Sequence, residues 1–507
     1  MVDISESERQ AQELSTVAAV DLGSNSFRLQ VSRVVDEQIY EVESLREPVR
    51  LGAGLDDDSN LDEASQKRAT DALSRFAQRL REFSPSAVRA VATNTLRVAS
   101  NAADVLPRFE AALGFPIEVV AGREEARLIY SGVAHNLAPS PDKRLVVDIG
   151  GGSTEFIIGS GNTPLRLESL YMGCVSWTLR YFPNQKLSKS NMKRAELAAR
   201  IEIEAIQKQF SSRHWKEAVG SSGTASAISN ILEGSGWGDS GITLDGLERL
   251  RSVIQKAGHT DSLDLPGLRA DRRAALPGGV AIMKAIFDEL GVTHMQIGSG
   301  ALRQGVLWDM IGRRRRKDMR ESTVGQFMKR YHADVDHARR VERLAMKLHE
   351  QFSTSQDDSS PARLLSWAAR LHEIGLSVAH SGYHKHSAYI LSNADMPGFS
   401  KGDQKHLSLL VASHRGSLEK LRSRDTDDAN WTLLVALRVA VLMNRSRSVT
   451  RLPRIRAKKR KSSYTLSIDG GWLEAHPLTV AELRREIDEL QRLDVQLVIA
   501  GLAQVEQ

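Results

Sequence analysis

The sequence predicts an α/β fold of two similar halves facing each other across a cleft, followed by a helical block and a small strand–helix tail. Three observations predict it. An acidic residue followed by a glycine turn lies between two β-rich runs twice, in VAAVDLGSNSFRLQ (17–30) and in LVVDIGGGSTEFIIG (145–159), the mark of a duplicated unit. Strand–turn–helix signals follow each copy. Beyond residue 318, apolar residues recur at helical spacing with few strand signals.

The elements follow in order. VAAVDL, FRLQVSRV and YEVESL read as a meander, and Ala69, Leu73, Phe76, Ala77 and Leu80 fall on one face of a helix over 62–82. VRAVAT and IEVV are strands, with a helix at 101–113 between them and another beginning at AGREEARLIY. In the second half, an amphipathic helix covers 188–210, and strand–turn–helix units occur at AVGSSGTASAISNIL and MQIGSGALRQGVL. The helical block contains DVDHARRVERLAMKLHEQF, ARLLSWAARLHEIGL, KHSAYILS, DQKHLSLLVASHR and WTLLVALRVAVLM, with loops at DDSS and SRDTDDA. SSYTLSIDGGWLEA is strand-rich, and a helix at 479–494 closes the chain. The expected domains are 16–139, 140–312, 318–450 and 451–507.

Composition narrows the class. With 507 residues, 41% hydrophobic and 26% charged, the chain has the balance of an ordinary globular protein. Its longest apolar stretch, near 433–443, is broken by Arg438 and is too short to span a bilayer, so no membrane partner is expected. The polar start MVDISESERQ lacks the features of an export signal, and Cys174, alone, permits no internal disulfide; both suit a cytoplasmic protein. Residues 1–310 carry 35 basic and 40 acidic side chains, residues 311–507 carry 34 and 23, and ten of the 14 histidines lie in the second part. The runs RRRRK (313–317) and KKRK (458–461) could attract a polyanion or simply be solvated. Aromatic residues, at 5%, are sparse for base stacking, and nucleic acid is not expected as a partner.

The chemistry concentrates in the turns. Asp21 and Asp148 each end a strand and are followed by glycines and hydroxyls. Such turns let backbone N–H groups approach phosphate, while the carboxylate suits Mg²⁺ or water. SSGT (221–224) and GSGALR (298–303) add two more turns, and four together make a polyphosphate cradle. Glu124 and Glu125 begin a helix, where they could complement its positive end or reach a water at the cleft edge.

DLGSNSF (21–27) and DIGGGST (148–154), together with TNTLR (93–97), GREEARL (122–128), MGCVS (172–176) and SGT (222–224), resemble the exopolyphosphatase and guanosine pentaphosphate phosphatase family. LPGL (265–268) and HSAYIL (386–391) carry the resemblance over nearly the whole chain. It implies two ribonuclease-H-like domains of the actin, sugar kinase and Hsp70 ATPase superfold, then an HD-like helical domain. It further implies Glu125 as the base that activates water. Asp148 and Glu155 would position Mg²⁺, with a monovalent ion such as K⁺ a further expectation. Ser24, Asn25, Arg97, Gly150, Gly151, Gly152, Ser153, Ser222, Gly223 and Thr224 would grip phosphates; Arg97 could instead pair with an acid.

The activity expected from the resemblance is processive release of orthophosphate from inorganic polyphosphate. The same chemistry on guanosine pentaphosphate is the alternative, with a sugar kinase or a non-catalytic polyanion binder as other classes. The long helical extension and its basic residues, Lys385 and Arg415 among them, favour the polymer, because a tethered end stays at high local concentration. The resemblance also implies a homodimer. The HD signature is altered: LHEIGL supplies His372 and Glu373, and VLMNR (441–445) stands where a later Asp is expected. That leaves His337, His380, His384, His386 and His414 as candidates for a metal cluster or as structural histidines.

Overall fold

The computed structural model describes residues 16–35, 38–138, 140–238, 241–314, 318–353, 359–421, 428–447 and 452–502. DDSS, SRDTDDA and RRRRK fall partly outside these residues. The chain divides into two compact units, 1–318 and 319–507.

In the first unit, strands β1 (Thr16–Leu22), β2 (Phe27–Val35) and β3 (Gln38–Glu47) form the expected antiparallel meander. β4 (Val88–Ala92) and β5 (Ile117–Val119) add in parallel, giving the order β3-β2-β1-β4-β5. Helices α1 (Glu63–Leu80), α2 (Asn94–Val98), α3 (Ala102–Leu113) and α4 (Gly122–Ala134) accompany them. Asp62 caps α1 by accepting the Ser65 N–H at 2.6 Å. The second half repeats the plan. β6 (Arg144–Ile149), β7 (Thr154–Ser160) and β8 (Thr163–Leu170) are antiparallel. After a short β9 (Lys186–Leu187), β10 (Glu217–Ser221) joins β6 in parallel. β11 (Ile242–Thr243), a short β12 (Gly258–His259) that pairs with β9, and β13 (His294–Ile297) complete the strands. The larger sheet runs β11-β13-β10-β6-β7-β8. Its helices are α5 (Cys174–Tyr181), α6 (Lys189–Phe210), α7 (Ser222–Gly234), α8 (Leu244–Ala257), α9 (Ala270–Arg273), α10 (Leu276–Leu290) and α11 (Leu302–Arg314).

Strand alternation builds three layers of core. Ala18, Val20 and Leu22 pack outward against α1 and α3, and Leu145, Val147 and Ile149 pack outward against the helices of the second half. Val17, Ala19 and Val146 turn inward onto a shared layer formed by α4 and α11. By the same parity Asp21 and Asp148 point inward. The α4–α11 crossing is close: a Cβ on Gly132 would strike the Ala301 carbonyl, and one on Gly305 would strike the Leu128 carbonyl.

The second unit has α12 (Met319–Arg330), α13 (Val335–Phe352), α14 (Ser359–Leu371), α15 (Tyr383–Asn393), α16 (Lys401–Ser413) and α17 (Asp428–Met443). β14 (Arg456–Arg460), β15 (Ser463–Ser467), α18 (Gly470–Glu474), α19 (Pro477–Gln491) and β16 (Gln496–Ala500) follow. The expected helix near the end of the chain is α19, and a strand without a sequence signal, β16, follows it and pairs in parallel with β15. These strands share one core with the helices, where Tyr464 meets Phe352 edge-on at 5.1 Å. The KKRK run lies largely on the edge strand β14, where charges deter pairing with another chain. Among the described residues no helix is long and apolar enough to cross a membrane.

Candidate active site

A cavity of about 450 Å³ opens where the two glycine turns meet. Ser24, Asn25, Gly150, Gly151, Gly152, Ser153, Ser222, Gly223, Glu125, Asp148 and Glu155, all singled out from sequence, line it together with Asp21. The turns touch: a Cβ on Gly152 would run into the Asn94 side chain, and one on Gly173 into the Gly151–Gly152 backbone. Glycine is therefore required there by contact. Thr95 Oγ1 donates to Ser24 Oγ at 2.7 Å, and the Gly52 N–H donates to the Ser24 carbonyl at 2.8 Å, fixing the first turn. Ser222 has φ +63°, a left-handed conformation a non-glycine residue adopts only when held, and its Oγ donates to the Ile149 carbonyl at 3.4 Å.

Two candidates sit behind the wall. Thr224 Oγ1 donates to the Ile149 carbonyl at 2.9 Å and supports the turn from below. Arg97 Nη1 donates to Glu125 Oε2 at 2.9 Å and to the Val120 carbonyl at 3.0 Å, so it holds the candidate base, while its buried Nε and Nη2 have no partner. Glu124 turns away into a bidentate pair with Arg127, at 2.8 Å to each oxygen. That pair continues to Asp309, which lies 2.6 Å from Arg127, 2.7 Å from Arg89 and 2.8 Å from Arg313.

The floor is acidic. Asp148 and Glu155 are directly opposed across β6 and β7, as Asp21 and Arg28 are across β1 and β2, so the two hairpins place an acid–acid and an acid–base pair at equivalent positions. Burial is the largest cause pushing these carboxyls up: Asp21 to about 6, Glu125 to about 7, and Asp148 and Glu155 above their usual range. Arg97 opposes the shift at Glu125, whereas the Glu125 and Asp148 charges add to it at Glu155. Glu155 Oε1 accepts from Ser169 Oγ at 2.8 Å, and its buried Oε2 has no partner.

Above the floor, Arg28, Arg46, Arg269, Arg272 and Arg303 also line the cavity. Burial, reinforced by neighbouring guanidinium charges, lowers Arg28 to about 10 and lowers Arg272 and Arg303 as well. These arginines were not singled out from sequence. Arg28 could have been, since strand parity places it opposite Asp21; Arg272, on an exposed-looking RADRR segment, gives no local signal.

A charge that raises its acids costs stability above their ordinary pKa. Stability conferred on the fold therefore falls as pH rises from about 4.5 through the higher folded pKa of Glu155, because the native state binds more protons. Glu155→Gln, measured by calorimetry at pH 8 with chelator, is expected to raise the first unit's melting temperature by about 1.5 °C for each kcal/mol relieved. An unchanged or lowered midpoint would contradict the strain.

In the second unit His337, His372, His384 and His414 gather with Glu373, whereas His380 is exposed and His386 half-buried. Lys385 and Arg415 are exposed, and Arg415 lies over the Tyr383 ring at 5.0 Å.

Duplicated sheets, touching glycine turns, an acidic floor and an arginine rim make a cleft suited to handling phosphoryl groups. Residues 30–314 match the Ppx/GppA phosphatase family and residues 319–487 match its domain III. The chain is 38% identical over 473 residues to the guanosine-5'-triphosphate,3'-diphosphate pyrophosphatase of Vibrio cholerae serotype O1, covering 92% of this chain and 95% of that protein. The identity is also 38% over 482 residues, 94% and 96%, to the protein of that name in Vibrio parahaemolyticus serotype O3:K6. An exopolyphosphatase crystal structure from Cytophaga hutchinsonii shares the fold, with TM-score 0.53, 22% identity, and 58% of this chain and 97% of that one covered. The chain belongs to the Ppx/GppA phosphatase family. It is a hydrolase acting on phosphoanhydride bonds.

Proposed function

We propose that the enzyme removes the 5'-terminal phosphate of guanosine pentaphosphate, giving the tetraphosphate and orthophosphate. The observation that carries this reading is the 38% identity to relatives named for that activity, extending through both units. The helical extension no longer argues for a polymer, because those relatives match along 95–96% of their own length and so share it.

In this reading the glycine turns and Ser24, Ser153 and Ser222 hold the terminal phosphates, and the arginine rim draws the polyanion in. Glu125 takes a proton from water as its oxygen attacks the terminal phosphorus in line, and the bond to the bridging oxygen breaks, releasing the shortened chain. Arg97 keeps the Glu125 carboxylate aimed. A base pushed up to about 7 matches proton transfer near neutral pH.

Asp148 and Glu155 fit a Mg²⁺ site: they are cross-strand neighbours, their charges repel, and Glu155 Oε2 is buried without a partner. Mg²⁺ there would offset charge on the phosphoryl oxygens.

One observation favours inorganic polyphosphate as a second substrate: no aromatic ring is among the described residues that line the cavity, so a base would find no aromatic platform there. Phosphate release from guanosine pentaphosphate and from long-chain polyphosphate, followed side by side with Mg²⁺, decides. A kcat/KM favouring the nucleotide at least tenfold is expected; turnover of polyphosphate alone would overturn the assignment.

A further inference from the structure

The second unit holds a separate set of ligating atoms. His337 lies in the first turn of α13, where its backbone N–H donates to Asp334 Oδ1 at 2.9 Å, and His372 and Glu373 follow α14. All three are buried, His337 at 2%, His372 at 1% and Glu373 at 8% exposure. His337 Nε2 stands 3.8 Å from Glu373 Oε2, and His372 Nε2 stands 3.8 Å from Glu373 Oε1. One ligand atom from each lies within 4.8 Å of the others, the sole such trio of His, Cys, Asp or Glu among the described residues.

The hydrogen bonding says what these atoms lack. His372 Nδ1 is 2.8 Å from the Ala369 carbonyl, which can only accept, so the ring proton sits on Nδ1 and Nε2 carries a lone pair. That lone pair is buried without a partner and faces a carboxylate oxygen, acceptor toward acceptor. His337 Nδ1 is likewise buried and unpartnered. The Arg447 guanidinium donates to Glu373 Oε1 but leaves His372 Nε2 unpartnered, so it does not resolve the conflict. A cation between the rings and the carboxylate does. A histidine whose Nδ1–H is fixed by a backbone carbonyl is oriented as metal-binding histidines commonly are.

We infer that His337, His372 and Glu373 bind a divalent first-row transition cation of the Zn²⁺ type. Two imidazoles and one carboxylate suit Zn²⁺, Co²⁺ or Ni²⁺ better than Mg²⁺, and leave a fourth position for water or a ligand oxygen. Ligand atoms on a tetrahedral ion stand about 3.3–3.5 Å apart at bond lengths near 2.0–2.1 Å, so a trio within 4.8 Å, with each imidazole 3.8 Å from one oxygen of Glu373, must draw together by up to about 1.5 Å. His414, its ring 5.0 Å from His372 and its Nδ1 2.6 Å from the Val411 carbonyl, packs behind the site. Arg447 Nη2 lies 2.5 Å from Glu373 Oε1, and the Arg447 side chain is 44% exposed. Its guanidinium supplies Glu373 with positive charge, with Asp334 3.7 Å away on its other side, and so competes with a metal.

The test uses the full, untagged chain in excess Mg²⁺, which saturates oxygen-ligand sites. Co²⁺ is titrated by calorimetry and by its visible absorption, then displaced with Zn²⁺. One equivalent is expected. His372→Gln and His337→Gln, checked for folding by circular dichroism, should each weaken Co²⁺ more than the ~10–100-fold cost of losing a supporting partner. Glu125→Gln should bind as wild type does. Arg447→Ala keeps all three ligands and should bind more tightly, which tests the site even where a histidine variant fails to fold. Uptake below stoichiometry, uptake indifferent to folded histidine variants, or Arg447→Ala affinity equal to wild type would each overturn the inference.

Discussion

Glu125→Gln is expected to lower kcat for phosphate release by about 10²–10⁴-fold, the usual contribution of a positioned general base. Glutamine keeps the size of the side chain and an oxygen for the Arg97 guanidinium, 2.9 Å away in the wild type, but cannot accept the water proton. Substrate binding should change little, because the phosphates are held by the turns and the rim. The pH profile carries a second signature. Burial pushes Glu125 up to about 7 against the pull of Arg97, so kcat/KM of the wild type should rise with pH through an acid limb near 7. Residual activity of the variant should lack that limb. A kcat within tenfold of wild type would remove Glu125 from the chemistry.

The largest expected effect on stability lies at Asp309. It is 6% exposed at its side chain and receives Arg127, Arg89 and Arg313 at 2.6–2.8 Å. These residues come from α4, β4 and α11, so one carboxylate ties three elements together. Asp309→Ala leaves buried guanidinium charge uncompensated and is expected to cost about 3–5 kcal/mol, less whatever Glu118 and Glu124 recover through their own pairs with Arg89 and Arg127. The three arginines hold the Asp309 carboxyl far below the usual carboxylate range, overcoming the burial that opposes them. Its contribution is therefore fully present above pH 4 and is lost only as pH falls toward the depressed folded value. Denaturant unfolding of wild type and variant should differ at neutral pH and converge only in strong acid. A loss under 1 kcal/mol at pH 7 would contradict the network's role.

The acidic and glycine turns were readable in the sequence because their chemistry is local and appears twice. Asp21, Asp148, Glu155 and the residues between them follow from the turns and the period of two. What Arg97 faces was not readable, since its partner Glu125 lies 28 positions on and either an acid or a phosphate would satisfy a guanidinium. The arginine rim gathers β2, β3, α9 and the residues beside it, and the start of α11, and only tertiary folding unites them. Among the elements, α10 gave no amphipathic signal because it is buried nearly all round. β8 is a largely exposed edge strand, and β16 is five residues long. The histidines were seen as a group, but which of them share an acid depended on how α13 and the turn after α14 meet.

The crossing of α4 and α11 bears on the position of the base. Gly132 and Gly305 let the two backbones touch, and this bearing is held at one angle by the buried Leu128, Val133, Val306 and Met310 and by the Arg127–Asp309 pair. Glu125 rides on one of those helices, seven residues from Gly132, a lever of about 10 Å at 1.5 Å per residue. A tilt of roughly 10° at the bearing swings the carboxylate by about 2 Å, and a misplacement of about 1 Å can cost 10²-fold in rate. The alignment of the base thus depends on that crossing, on its two glycines and on the side chains packed around them.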